Sequence, residues 1–276
     1  MITLSQLAIY PIKSTAQISL QEAHISPFGL EMDRRWMLID EKGVMLTQRK
    51  FARMCLIQSE IGDNTLSVSA PDMQDLSIAT DRASKTIEAN VWNDTCNAQD
   101  CGDEAASWFS DFLKTPARLV FFPQNEIRQV DLDYAQQGDI TAFSDGFPYL
   151  LISQASLDDL NAKLDSPVSM SRFRPNLVVT GTDAFAEDSW KRIRIGDITF
   201  KLVKPCSRCV IPSIDPLTAE KSAAVVKTLS QYRMHDHKIF FGQNIIAEGQ
   251  GELIQGTLKP ERQVGMQVGM QVEILE

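Results

Sequence analysis

Apolar positions cluster, alternate or recur at helical spacing in different parts of the chain, and these textures predict its elements. Leu4 to Ile12 is an apolar run of the kind a buried strand requires. Arg35-Trp36-Met37-Leu38-Ile39-Asp40 repeats it, and the turn formers Glu41-Lys42-Gly43 separate it from Val44-Met45-Leu46-Thr47. Cys55-Leu56-Ile57-Gln58 reads as a further strand, and Thr65-Leu66-Ser67-Val68-Ser69 alternates with period two. Short strands at such close spacing predict an antiparallel sheet or barrel.

The texture then changes. Glu104 to Lys114 places Trp108, Phe109, Phe112 and Leu113 on one helical face, with Pro116 as a stop. Leu150-Leu151-Ile152 predicts a buried strand running into Ser153 as an N-cap. The helix that follows has Leu157, Leu160 and Leu164 inward and Asp158 and Asp159 in its first turn. Leu177 to Gly181 and Ile198 to Val203 predict strands, and Val225 to Tyr232 a helix. Gln263 to Val272 writes one four-residue unit twice, too short for a solenoid, and reads as a duplication in the last strand or hairpin. The class is mixed α/β with β dominant, and a loose seam falls between about residues 95 and 120.

Length and charge narrow the possibilities. The 276 residues suffice for one large or two modest domains. With 27 Lys and Arg against 36 Asp and Glu, the net charge is −9, which argues against a nucleic-acid partner. No basic segment followed by an apolar one opens the chain, and no apolar stretch approaches a membrane span, so neither a signal peptide nor a membrane anchor is expected. The five cysteines form no disulfide framework and suit a reducing cytoplasm.

Cys206 and Cys209, in Lys204-Pro205-Cys206-Ser207-Arg208-Cys209, are the sharpest chemical feature. A closed zinc site needs a second ligand pair, and His24, His235 and His237 form no such spacing with them. A thioredoxin-type pair needs a helix after it, and Val210-Ile211-Pro212-Ser213-Ile214-Asp215-Pro216 cannot open one. Lys204 and Arg208 favour a thiolate. A soft-metal ligand, a sulfur carrier, a nucleophile and two small buried residues all remain open. Basic residues with polar neighbours recur at strand ends: Lys13-Ser14, Arg34-Arg35, Arg49-Lys50 and Arg174-Pro175-Asn176. Arginine forks with hydroxyl and amide neighbours suit an anionic small molecule. Gly242-Gln243-Asn244 reads as a ligand-contacting turn or a hairpin. The glycines form no nucleotide-binding motif.

Tyr10-Pro11-Ile12-Lys13-Ser14, Asp33-Arg34-Arg35-Trp36, Phe173-Arg174-Pro175-Asn176, Glu187-Asp188-Ser189-Trp190 and Pro205-Cys206-Ser207-Arg208-Cys209 occur in this order. As a set they resemble MOSC-domain proteins with their N-terminal β-barrel companion, among them the mitochondrial amidoxime-reducing components and bacterial counterparts. The resemblance implies a companion domain over 1–118 and a MOSC β-barrel with peripheral helices over 119–276. It implies a pterin-dithiolene molybdenum cofactor, with Cys209 as metal ligand and Cys206 and Arg208 beside it. Lys13, Ser14, Arg34, Arg174 and Asn176, with Arg49, then hold the pterin and its phosphate. The implied reaction is reduction of small N-hydroxylated compounds: amidoximes, hydroxylamines and N-hydroxylated bases. Asp145 and Asp183 are candidate proton donors. No ferredoxin-type cysteine spacing is present, so a flavoprotein, ferredoxin or cytochrome is the expected electron donor. The alternative, a sulfur-carrying or cofactor-handling module, is normally fused to an aminotransferase-like domain, for which 276 residues leave no room.

Overall fold

A computed structural model describes residues 1–80, 85–249 and 265–276, together with the backbone of two short strands at 253–254 and 257–258. The chain opens with β1 (Thr3–Ile9), β2 (Ile18–Leu20), β3 (Glu22–Ser26), β4 (Gly29–Leu30) and β5 (Trp36–Ile39). Next come β6 (Gln58–Ile61), β7 (Thr65–Ser69), β8 (Leu76–Ala79), β9 (Thr86–Val91) and β10 (Asp94–Asp100). Helix α1 (Asp103–Leu113) leads to β11 (Arg118–Phe121), and β12 (Tyr149–Ser153), α2 (Gln154–Asn161) and β13 (Leu177–Thr180) follow. The last part holds β14 (Arg192–Ile195), β15 (Ile198–Arg208), α3 (Ala224–Tyr232), β16 (Met234–His235) and β17 (Lys238–Ala247). It closes with β18 (Leu253–Ile254), β19 (Thr257–Leu258), β20 (Gly265–Gln267) and β21 (Val272–Ile274).

The architecture is β-dominant, as expected. A half-barrel sheet runs in the order β2-β1-β13-β12-β17-β15-β14-β21, with β16 added to β17. Its core packs Leu4, Leu7 and Ile9 of β1 against Leu151, Leu177, Phe200 and Ile245. Smaller sheets, β5-β11-β10-β9 and β6-β7-β8, adjoin α1. The predicted aromatic face of α1 is buried there, with Trp108, Phe109 and Phe112 against Leu66, Val68 and Ile78. β12 and β13 are parallel, and α2 lies in the connection between them, as parallel strands require. Ser153 caps α2, its Oγ accepting from the Ser156 N–H.

Four local expectations change. Cys55 belongs to a 3-10 turn, Ala52–Leu56, and the strand begins only at Gln58; Met54, Cys55 and Ile57 are buried in either conformation, so apolarity alone does not distinguish them. Asp158 and Asp159 fall beyond the first turn of α2, because the helix starts at Gln154. β15 continues past Val203 to Arg208, bent by register irregularities between Leu202 and Lys204 and between Pro205 and Ser207. The C-terminal duplication is not a hairpin: β20 pairs with β3, and β21 with β14. Gln263 and Val264 of that repeat lie outside the described residues. No helix among the described residues is long and apolar enough to cross a membrane.

Candidate functional site

The basic motifs and the cysteine pair converge on one cleft of about 150 Å³. Lys13, Ser14, Arg34 and Arg49 reach it from the first half of the chain. Asp145, Arg174, Asn176, Cys206, Arg208 and Cys209 reach it from the second. Five cations and one carboxylate, Asp145, therefore line a cleft in a protein of net charge −9. Asp183 is not among them. It is exposed on the loop before Ala186–Asp188, where its carbonyl accepts from Ala186 N–H, and the structure does not bring it together with the other expected site residues.

Backbone strain marks this region. Ser14 (φ +73°), Arg34 (φ +48°) and Arg174 (φ +57°) all take left-handed conformations that side chains larger than glycine seldom adopt. Such outliers persist where surrounding contacts impose them. Here Tyr10 imposes order. Two guanidinium groups lie over its buried ring, Arg34 at 4.2 Å and Arg174 at 4.1 Å from the centroid. The negative π-face of the ring attracts both cations. Burial pushes the Tyr10 phenol up to about 12, against the pull of the two arginines, so it stays neutral; its hydroxyl donates to Pro175 O at 3.0 Å.

Each arginine is then tied down separately. Arg34 donates to Asp33 Oδ2 at 2.6 Å and to Asn176 Oδ1 at 3.0 Å. The Asn176 Oδ1 also accepts from Leu150 N–H and its Nδ2 donates to Ala8 O, so the side chain braces Arg34 while lining the cleft. Arg174 donates to Thr15 O at 2.6 Å, and burial lowers it to about 10. Arg208 donates to Cys206 Sγ at 3.1 Å and to Phe173 O at 2.6 Å, leaving its buried Nε without a partner.

Asp145 joins the clamp to the thiols. Lys13, buried, donates to Asp145 Oδ1 at 2.5 Å and to Phe143 O at 2.7 Å, and Arg49 donates to Asp145 Oδ2 at 2.8 Å. Burial acts to raise the Asp145 carboxyl, though weakly for a side chain 55% exposed to water, and Lys13 and Arg49 outweigh it and hold it far below the usual carboxylate range. Asp145 thus stands as the counter-ion of Lys13 and Arg49 in the cleft. Burial lowers Lys13 to about 8 despite Asp145. Burial likewise opposes the charge of Arg49, yet the nearby Asp145 carboxylate and Cys209 sulfur together raise it.

Local sequence did not reveal several contributors. Arg128 donates to Asp94 Oδ2, Ala142 O and Ser144 O at 2.7–2.8 Å and so shapes the loop that carries Asp145. Asn244 and Phe147 line the cleft. Gly242-Gln243-Asn244 lies within β17 and is not a turn. Arg128 sits in an irregular stretch without periodicity; Asn244 alone lay beside a motif already noticed. The other three cysteines are poorly placed for chemistry, as burial raises Cys55 and Cys96 to about 11 and Cys101 to about 12. A larger hollow of about 510 Å³ near α1 sets Lys85 against Asp100, Asp103 and Glu104, with Cys101 as its thiol, and provides no anion clamp.

A β-dominant chain whose thiol pair faces a cationic cleft fits the MOSC class. Residues 1–116 match the MOSC N-terminal beta barrel domain, and residues 139–273 match the MOSC domain. The chain is 37% identical to human mitochondrial amidoxime-reducing component 1 over 273 residues, spanning 92% of this chain and 81% of the relative. The mouse component 1 is 38% identical over 85% of this chain and 72% of its own length. The human component 2 is 38% identical over 85% and 73%. This chain belongs to the MOSC-domain family that includes those components.

Proposed function

We propose that this protein is a molybdenum-cofactor-dependent oxidoreductase that reduces N-hydroxylated compounds with electrons from a separate donor protein, a flavoprotein, ferredoxin or cytochrome. The observation that carries the reading is the union of Cys206 and Cys209 with five cations in one cleft, one of which, Arg208, keeps a buried N–H unpartnered. Lys13 and Arg174 hold their charge against burial, a penalty that an anion in the cleft relieves. Among the described residues no group of three or more His, Cys, Asp or Glu side chains stands close enough to hold a metal ion. A metal at Cys209 therefore needs ligands that arrive with it, and a soft dithiolene-bound metal suits a thiolate. The substrate class follows from the relatives, which are named amidoxime-reducing components.

In this reading Cys209 ligates the metal, and Lys13, Ser14, Arg34, Arg174 and Arg208 hold the anionic part of the cofactor. Asn176 fixes Arg34, and Cys206 supports Arg208. Arg49 places a positive charge in the same cleft as Cys209. When bound, the cofactor supplies two-electron redox chemistry at the N–O bond. Asp145 keeps Lys13 and Arg49 in place, and with its side chain 55% exposed it opens the cleft to water, so protons come from solvent. The proposed organisation is a companion domain, 1–118, and a MOSC domain, 119–276, which share the cleft.

Protein made in a cofactor-competent host is expected to carry molybdenum, to lose it on Cys209→Ser and to retain most of it on Cys206→Ser. Equal loss from both variants overturns the ligand assignment. Dithionite-reduced protein is expected to turn over an amidoxime or hydroxylamine. Metal-loaded protein inert toward every N-hydroxylated compound supports a cofactor-handling role instead.

A further inference from the structure

We propose that Trp92 is a stacking platform for the substrate, selecting planar conjugated N-hydroxylated compounds over saturated ones of similar size. The proposal rests on the reductase reading above. Trp92 occupies the two-residue connection between β9 and β10, where Val91 pairs with Asp94. Its φ is +56°, a conformation that such turns normally assign to glycine or asparagine. A bulky aromatic there is a genuine outlier, and 49% of its surface remains exposed. Neither local backbone preference nor burial accounts for a tryptophan at this position.

Its contacts point into the cleft. The indole Nε1 donates to Asp145 Oδ1 at 3.3 Å, and the Arg49 guanidinium lies over the ring at 4.6 Å from the centroid. Both partners line the thiol cleft together with Cys209. The indole is therefore held in a set orientation by two residues of the cleft that contains the proposed metal ligand. Among the described residues no other aromatic ring packs against it. Arg49 lies over the ring, and the exposed remainder of the indole adjoins two residues that line the cleft. A flat π-system gains from such a face through offset or edge-on stacking, whereas a puckered saturated ring gains only apolar contact.

The test compares benzamidoxime with its cyclohexyl counterpart in dithionite-reduced holoenzyme, for wild type, Trp92→Leu and Trp92→Phe. Trp92→Leu is expected to lower kcat/KM for benzamidoxime by roughly 3- to 10-fold, mainly through KM, and to change the cyclohexyl compound by less than about 2-fold. Trp92→Phe is expected to recover most of the loss. Equal losses on both compounds, or none on either, overturn the platform. A second measurement separates this outcome from failure of the reductase reading. Benzamidine, which carries no N–O bond, is titrated into wild-type and Trp92→Phe holoprotein while tryptophan emission is followed. Quenching in wild type that is lost in Trp92→Phe supports the platform even if neither amidoxime is reduced, and identical traces overturn it.

Discussion

Lys13, Asp145 and Arg49 show how a few buried contacts set the chemistry of single groups. Burial lowers Lys13 to about 8 while Asp145 pulls the other way, so its charge disappears just above neutral pH. The affinity of the cofactor-free protein for pyrophosphate, an anion probe for the clamp, is therefore expected to fall as pH rises beyond about 8. The limiting slope is about tenfold per pH unit if the Lys13 charge is required. Calorimetry across pH 7 to 10 checks this, and a flat profile removes Lys13 from the clamp. Stability moves the other way. Between about pH 8 and the ordinary lysine value the folded protein binds fewer protons at Lys13 than the unfolded chain does, so the Lys13 contribution to stability rises with pH in that window. Binding and stability with opposite pH trends distinguish this lysine from a general alkaline unfolding. The sequence showed that Lys13, Arg49 and Asp145 exist. It did not show that they share hydrogen bonds, because positions 13, 49 and 145 meet only through contacts spanning 132 and 96 residues of chain.

At the scale of the element, β17 explains how the cysteine-bearing strand keeps its bend. Gly242 has φ +82°, and a Cβ there would lie 2.6 Å from Ile152 Cγ1 and 2.8 Å from Leu151 O. β17 thus approaches β12 more closely than any residue with a side chain allows, while its other edge pairs with the bulged β15. Gly242→Ala is expected to cost about 2–3 kcal/mol of stability by urea unfolding, from both the conformation and the overlap. A loss under about 0.5 kcal/mol shows that the two strands separate easily. The Cys206 and Arg208 geometry should loosen with it. Element types were largely legible where a period or a cap was present, as in β7, the aromatic face of α1 and Ser153 of α2. They were not legible in Ala52–Leu56, where a short apolar run carries no period. The extension of β15 to Arg208 was hidden for another reason: Lys204, Pro205 and Ser207 are weak strand formers that pairing with β17 holds in place.

Across the whole molecule, the chain does not divide into independent halves of the large sheet. β1 and β2 lie at its edge beside β13, with Leu4 opposite Val179 and Leu7 opposite Leu177, and β20 near the C-terminus pairs back to β3. A fragment of residues 119–276 lacks β1 and leaves β13 as an unpaired apolar edge. It is expected to show no cooperative thermal transition by circular dichroism, whereas the full chain shows one; a sharp transition in the fragment refutes the dependence. The order of apolar, periodic and turn-forming residues by itself determined the β-dominant class, the helices α1, α2 and α3, the strands β1, β5, β7, β12, β13 and β15, the thiol pair and the set of basic motifs, because these depend on local spacing and residue chemistry. Only the tertiary structure decided which of those groups meet. It brought Arg34 and Arg174 over the ring of Tyr10, made Asp145 the counter-ion of Lys13 and Arg49, left Asp183 on an outer loop, and set Trp92 against Arg49 and Asp145. Those distances follow from strand pairing and loop closure between residues far apart in the chain, which no local pattern encodes.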